Sequence, residues 1–179
     1  MSLLVLTNGH TLAPDGEWTD ASVVIEDGRI VEVADRSDWP ANARVIDVGS
    51  RWILPGLIDA HVHTCLSPDM GDAGASQWLL IGARNAAAYL RAGVTTVRDV
   101  GAPAYLNIEL ARAVDLGLVP GPRILACGQH ITMTGGHLYW FGRQADGADE
   151  MKKAAREQLR AGAKLLKFMA SGGAGNPDD

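Results

Sequence analysis

From Leu57 onward the sequence alternates between two kinds of segment, and this alternation restricts the fold more than any other feature. Residues 57–63, 94–100, 123–127 and 164–170 are short and apolar, as strands are. Residues 76–92, 105–116 and 149–161 between them have helical composition, and each run is followed by a glycine: Gly93, Gly117 and Gly162. A glycine just past a helix adopts the left-handed closing conformation without strain. Apolar strands alternating with crossover helices predict an α/β fold with a parallel sheet buried on both faces. Each strand opens into a polar or glycine-rich loop at its carboxyl end, where such folds build their sites.

Residues 1–55 follow a different rhythm. The segments Leu3–Thr7, Ser22–Glu26, Arg29–Ala34 and Arg44–Asp47 are separated by turn signals at Asn8-Gly9, Pro14-Asp15-Gly16, Asp27-Gly28 and Trp39-Pro40. Asp27-Gly28 between two β-branched runs predicts a two-residue hairpin. This stretch reads as a small all-β unit, too small to be stable by itself. Residues 56–179 form the second unit, with four expected strands and three helices. A closed (β/α)8 barrel of the TIM type needs eight such pairs and roughly 250 residues. The expectation is therefore the first half of a barrel, ending in the glycine-rich loop 171–179 and leaving sheet edges that need a partner.

Bulk properties remove several function classes. The formal net charge is −5 and lysines and arginines do not cluster, which argues against nucleic acid or an anionic membrane as partner. No apolar run is long enough to span a bilayer, and the first residues lack the basic start and cleavage site of a signal peptide. Cys65 and Cys127 are not in a Cys-x-x-Cys pair; reduced thiols in the cytoplasm are the expectation.

Two features carry chemistry. His61 and His63 leave the first apolar strand after Pro55-Gly56, and residues two apart on a strand share a face. Two imidazoles on one side form half of a metal site, with ordinary hydrogen bonding as the alternative. Lys167 lies inside Leu165-Leu166-Lys167-Phe168-Met169-Ala170, an otherwise apolar strand. A buried ammonium is costly unless paired, and burial favours a neutral amine, which can take up CO2 as a carbamate. The alternatives are a lysine reaching solvent at the strand end or paired with a carboxylate.

Residues 55–63 resemble the first-strand motif of the amidohydrolase superfamily, and Ala92 through Gly101 resemble its second-strand segment. Gly121-Pro122-Arg123-Ile124-Leu125, Thr134-Gly135-Gly136-His137 and residues 167–173 resemble the branch holding imidazolonepropionase-like proteins and the Xaa-Pro, Xaa-Arg and Xaa-Lys dipeptidases. The resemblance implies that His61 and His63 bind the more buried metal, usually zinc. It implies that Lys167, as a carbamate, bridges two divalent ions in the intact site, and that residues 1–55 are part of a small β-sandwich domain. His137 becomes the candidate for contacting a substrate carboxylate or carbonyl, against the alternative of an exposed loop histidine. Tyr139 and Trp140 are read as pocket walls or as aromatic packing. An ion pair is the expectation for Arg98 and Asp99.

Further ligand histidines and the general-base aspartate of that superfamily match no position in the chain, so no catalytic residue is identifiable here and the aspartate is expected beyond residue 179. The implied activity is metal-dependent cleavage of an amide or dipeptide by activated water. The complementary C-terminal half would come from the same gene product or a second chain, and the intact protein would be a homo-oligomer. The 179 residues alone are expected to be inactive. Two alternatives stay open: a mononuclear, ring-opening cyclic amidohydrolase with an unmodified Lys167, and a non-catalytic fragment or split half.

Overall fold

The computed structural model describes residues 2–12, 15–68 and 74–172. The turn signal at Pro14 and the terminal glycines from Gly173 fall outside them. The chain divides into two compact units, residues 1–55 and 56–179.

The first unit contains β1 (Leu3–Thr7), β2 (His10–Leu12), β3 (Trp18–Asp20), β4 (Ser22–Glu26), β5 (Arg29–Ala34), β6 (Arg44–Asp47) and β7 (Trp52–Ile53). They form two sheets, ordered β5-β4-β1-β6 and β3-β2-β7. The expected hairpin joins β4 to β5: Asp27 and Gly28 both have positive φ, 47° and 79°, as a two-residue primed turn requires. Val5, Ala21, Val23 and Val24 are buried, whereas Ile30, Val31 and Val33 of β5 are exposed. Three short strands, β2, β3 and β7, have no clear signal in the sequence because two or three residues cannot show an alternation.

The second unit contains β8 (Leu57–Val62), α1 (Ala75–Arg91), β9 (Val94–Asp99), a 3-10 turn (Pro103–Tyr105), α2 (Leu106–Asp115), β10 (Arg123–Ala126), β11 (Ile131–Thr132), β12 (Arg143–Gln144) and α3 (Gly147–Ala161). β8, β9 and β10 form a parallel sheet in the order β10-β9-β8, with a helix in each connection, as the alternation predicts. Val62, Val97, Ile124 and Ala126 of the sheet form one core with Ala86 of α1 and Leu110 of α2. Gly93, Gly117 and Gly162 close the three helices with φ of 83°, 70° and 111°.

Two expectations fail. Residues 164–170 do not form a fourth strand among the described residues. The segment is tied by Lys164 N–H to the Ala126 carbonyl (2.8 Å), by Ile131 N–H to the Lys167 carbonyl (2.8 Å) and by Met169 N–H to the Ile131 carbonyl (2.9 Å). Among the described residues its one bridge joins Phe168 to Ile131, and β11, a strand of two residues, offers only a short edge. Nor is β8 covered on both faces: Leu57 is 55% exposed and Ile58 72%. Among the described residues β8 is an edge strand, with β9 on one side only. Among the described residues no helix is long and apolar enough to cross a membrane.

Candidate metal centre

β8 brings His61 to its last turn of pleat and hands the chain to His63 one residue beyond Val62. Their ring centroids lie 5.9 Å apart, as a same-face pair should. The His63 Nδ1 lies 2.7 Å from the Gly101 carbonyl. A carbonyl only accepts, so Nδ1 carries the proton and Nε2 keeps its lone pair. Holding the second ring nitrogen in this way is how ligand imidazoles are oriented. The His61 pKa is lowered, first by desolvation and then by its electrostatic interactions with Lys167, His63 and Arg98. Lys167 is therefore within electrostatic reach of His61, and it is half-buried, not buried as its apolar neighbours suggest, since little packs over the bridge at Phe168.

The loops behind the pair are joined by buried polar groups. Asp99, fully buried at the end of β9, accepts four hydrogen bonds: from Thr64 N–H (2.8 Å), Thr64 Oγ1 (2.5 Å), Gly101 N–H (3.1 Å) and Asn107 Nδ2 (2.8 Å). The expected ion pair between Arg98 and Asp99 does not exist. Consecutive strand residues point to opposite faces, so Arg98 instead donates from Nε to the Ala60 carbonyl at 2.5 Å. Asn85 of α1 donates to the Thr64 carbonyl at 2.9 Å. The buried thiols of Cys65 and Cys127 are pushed up to about 12 by desolvation and by the Asp99 charge.

His130, unassigned by the sequence, is wholly buried with neither ring nitrogen hydrogen-bonded. A Cβ on Gly101 would meet His130 Nδ1 at 3.1 Å, and a Cβ on Gly142 would meet Nε2 at 2.4 Å. The ring is wedged between two glycines and lies edge-on to Phe141, with centroids 4.6 Å apart. Desolvation drops its pKa to about 4, against a partial opposing pull from the backbone of His137 and Leu138.

His137 follows the Thr134–Gly136 turn, which is held by Asp146 and Gln144 side chains. It is half-buried, and its Nδ1 is buried without a hydrogen-bond partner. Trp140 meets Trp78 of α1 and Phe141 edge-on, and both Trp140 and Tyr139 are exposed. In the first unit, an open cavity of about 620 Å³ is lined in part by polar groups that already pair, such as His10 with Asp20 at 2.5 Å.

Among the described residues, no three His, Cys, Asp or Glu side chains gather closely enough to hold a metal ion. Two imidazoles with available nitrogens fit part of a metal site, and an amine converted to a carbamate would add the oxygen donor that they lack.

Residues 52–177 match the amidohydrolase family model. A solved prolidase complexed with N-methylphosphonate-L-proline superposes with a TM-score of 0.89 at 34% identity, over 99% of this chain and 49% of the prolidase. Ochratoxinase from Aspergillus niger is 28% identical over 98% of this chain and 43% of the enzyme, and its crystal structure superposes with a TM-score of 0.84. Imidazolonepropionase from Mycolicibacterium smegmatis is 33% identical over 69% of this chain and 31% of the enzyme. The chain spans about half the length of these proteins or less.

Proposed function

Because the chain belongs to the amidohydrolase family, we propose that it supplies the first half of a metal-dependent hydrolase that cleaves an amide or dipeptide bond next to a carboxylate-bearing residue. The observation that carries this reading is the His61–His63 pair at the mouth of a parallel sheet, with the Nε2 of His63 left free by Gly101. The chain's own ligands would be His61, His63 and Lys167 as its carbamate, holding two divalent ions, most simply zinc. Such ions supply Lewis acidity toward the scissile carbonyl and a more acidic water. The lowered pKa of His61 favours the unprotonated imidazole that metal binding requires. His137, half-buried after the Thr134–Gly136 turn, is the candidate contact for the substrate carboxylate or carbonyl.

In this reading residues 56–179 are the first part of a (β/α)8 barrel, and residues 1–55 belong to a β-sandwich. The general-base aspartate lies in a complementary half beyond residue 179, and the intact protein is a homo-oligomer. Its two buried thiols suit a reducing compartment such as the cytoplasm.

The test is to purify the intact protein with its complementary half and assay Xaa-Pro dipeptides and N-acyl amino acids. The expected result is two divalent ions per site, a mass increase of one CO2 on Lys167, and hydrolysis abolished by a chelator. A protein that retains no divalent ion from a zinc-containing buffer, or hydrolyses equally well with chelator, would overturn the reading. The identity to imidazolonepropionase favours a second reading, a one-metal ring-opening amidohydrolase. One ion per site and an unmodified Lys167 would select it.

A further inference from the structure

Asp99 sits on no surface that a substrate could reach, yet its hydrogen bonds run to both sides of His63. Its Oδ2 holds the N–H and hydroxyl of Thr64, the residue directly after the imidazole. Its Oδ1 holds Asn107 and the N–H of Gly101, whose carbonyl receives the imidazole proton. Asn107 also donates to the Gly128 carbonyl at 3.1 Å. That same carbonyl accepts from Ala102 N–H at 3.0 Å, which pins the far side of the Gly101–Ala102 peptide. The bonds therefore close a ring: Asp99 to Asn107, to Gly128, to the Gly101–Ala102 peptide, to His63, to Thr64, and back to Asp99.

The ring explains how a buried carboxylate is tolerated. Among the described residues no lysine or arginine forms an ion pair with Asp99. An uncompensated charge there would be strongly unfavourable, so its four donors carry the compensation. Those donors come from the loops after β8 and β9 and from α2, and Asn107 reaches the loop after β10. Hydrophobic packing could hold three loops together with less desolvation of charge. What a carboxylate adds is direction: it accepts from fixed N–H groups and so orients the Val100–Gly101 peptide directly, while through Asn107 and Gly128 it reaches the next peptide, whose carbonyl faces His63.

From this we propose that Asp99 is a positioning residue, which presets the tautomer and ring orientation of His63 before any ligand arrives. The proposal rests on the reading of His63 as a metal ligand only for its effect on metal affinity; the effect on the tautomer is independent of metal. In Asp99→Asn, the carboxamide N–H2 replaces one acceptor oxygen and turns a donor toward donors, so at least one side of the ring opens.

The test uses the metal-free full chain at pH 8, with His63 read by long-range 1H–15N correlation and zinc affinity measured by competition with a chromophoric chelator. Wild-type His63 is expected wholly protonated on Nδ1. Asp99→Asn is expected to show a mixture of His63 tautomers and a zinc affinity roughly 10–100-fold weaker, the range for losing an outer partner of a ligand. Asn107→Leu, which opens the ring elsewhere, should move both readouts in the same direction by less, and it decides the question in the same terms if Asp99→Asn does not fold. A folded variant with His63 still wholly Nδ1-protonated and zinc affinity within about twofold of wild type would overturn the proposal. If tautomers shift as expected while even the wild type binds no zinc, the positioning role stands and the metal reading fails.

Discussion

The end of β8 and the segment around Lys167 both present candidate ligands, but they are built in different ways. At β8, the Asp99 carboxylate at the end of β9, the Gly101 carbonyl just after it and Asn85 of α1 converge on His63 and Thr64, so the geometry there is determined by how β8, β9 and α1 fold together. Around Lys167, three backbone hydrogen bonds and one bridge do the holding, and Phe168 is 44% exposed. The histidine half of the site is preorganised by its own neighbourhood. The lysine half has its backbone fixed and its side chain free to respond to what packs on it. Preorganisation in this molecule is a property of strand ends tied to each other, not of apolar composition.

The sharpest way to break this contrast is to remove each candidate ligand in turn. If His63 is a ligand, His63→Ala should weaken zinc binding by about 1,000-fold, because a ligand contributes more than its outer partners. Lys167→Met should weaken it roughly tenfold less than that, measured by the same chelator competition. Equal losses would mean that the lysine half is as preorganised as the histidine half. The packing beneath each half gives the next largest difference. Leu110 is completely buried in the core under β9 and β10, and Leu110→Ala should destabilise the fold by about 3–4 kcal/mol in urea melts. Phe168→Ala should stay under about 1 kcal/mol.

Acid should act on the histidine half first. Folded His130 has a pKa of about 4, whereas the unfolded chain titrates it near 6.5. Between those values the unfolded state binds a proton that the folded state refuses. The stability present above pH 6.5 is therefore lost as the pH falls to about 4, by on the order of 3 kcal/mol. His130→Leu should flatten that slope in melts at pH 7, 5 and 4; an unchanged slope would show that His130 is not the group responsible. The smallest effect is expected between β12, the partner strand of β11, and α3. Arg143 of β12 pairs with Glu157 of α3 at 2.7 Å, half-exposed on both sides, and the guanidinium holds the Glu157 carboxyl below its usual range. Glu157→Gln should cost less than about 1 kcal/mol, and less again in high salt.

Much of this arrangement was legible in the residues. Strands β1, β4, β5 and β6 and the three helices follow from alternation, from Asp27-Gly28 and from the closing glycines, because these signals are local and strong. α2 begins later than its composition suggests, since Ala104 and Tyr105 take positive φ after Pro103. The 164–170 segment misled for a physical reason: an apolar run becomes a strand only with a long enough edge to pair with, and that edge is not encoded in the run itself. Asp99 was readable in principle. Arg98 and Asp99 are neighbours on a strand, so the parity that puts His61 and His63 together also puts those two charges apart. His130 left no signal, because its surroundings are glycine and phenylalanine brought together from distant positions.

The two cysteines, Cys65 and Cys127, follow the ends of β8 and β10, within reach of the Asp99 charge. Buried and held in the thiol form, they cannot present the nucleophilic thiolate that alkylating reagents require. Any labelling of the native protein must therefore wait for these loops to open. The rate at which the thiols react thus reports the opening of the strand ends that carry the histidines, without any engineered probe.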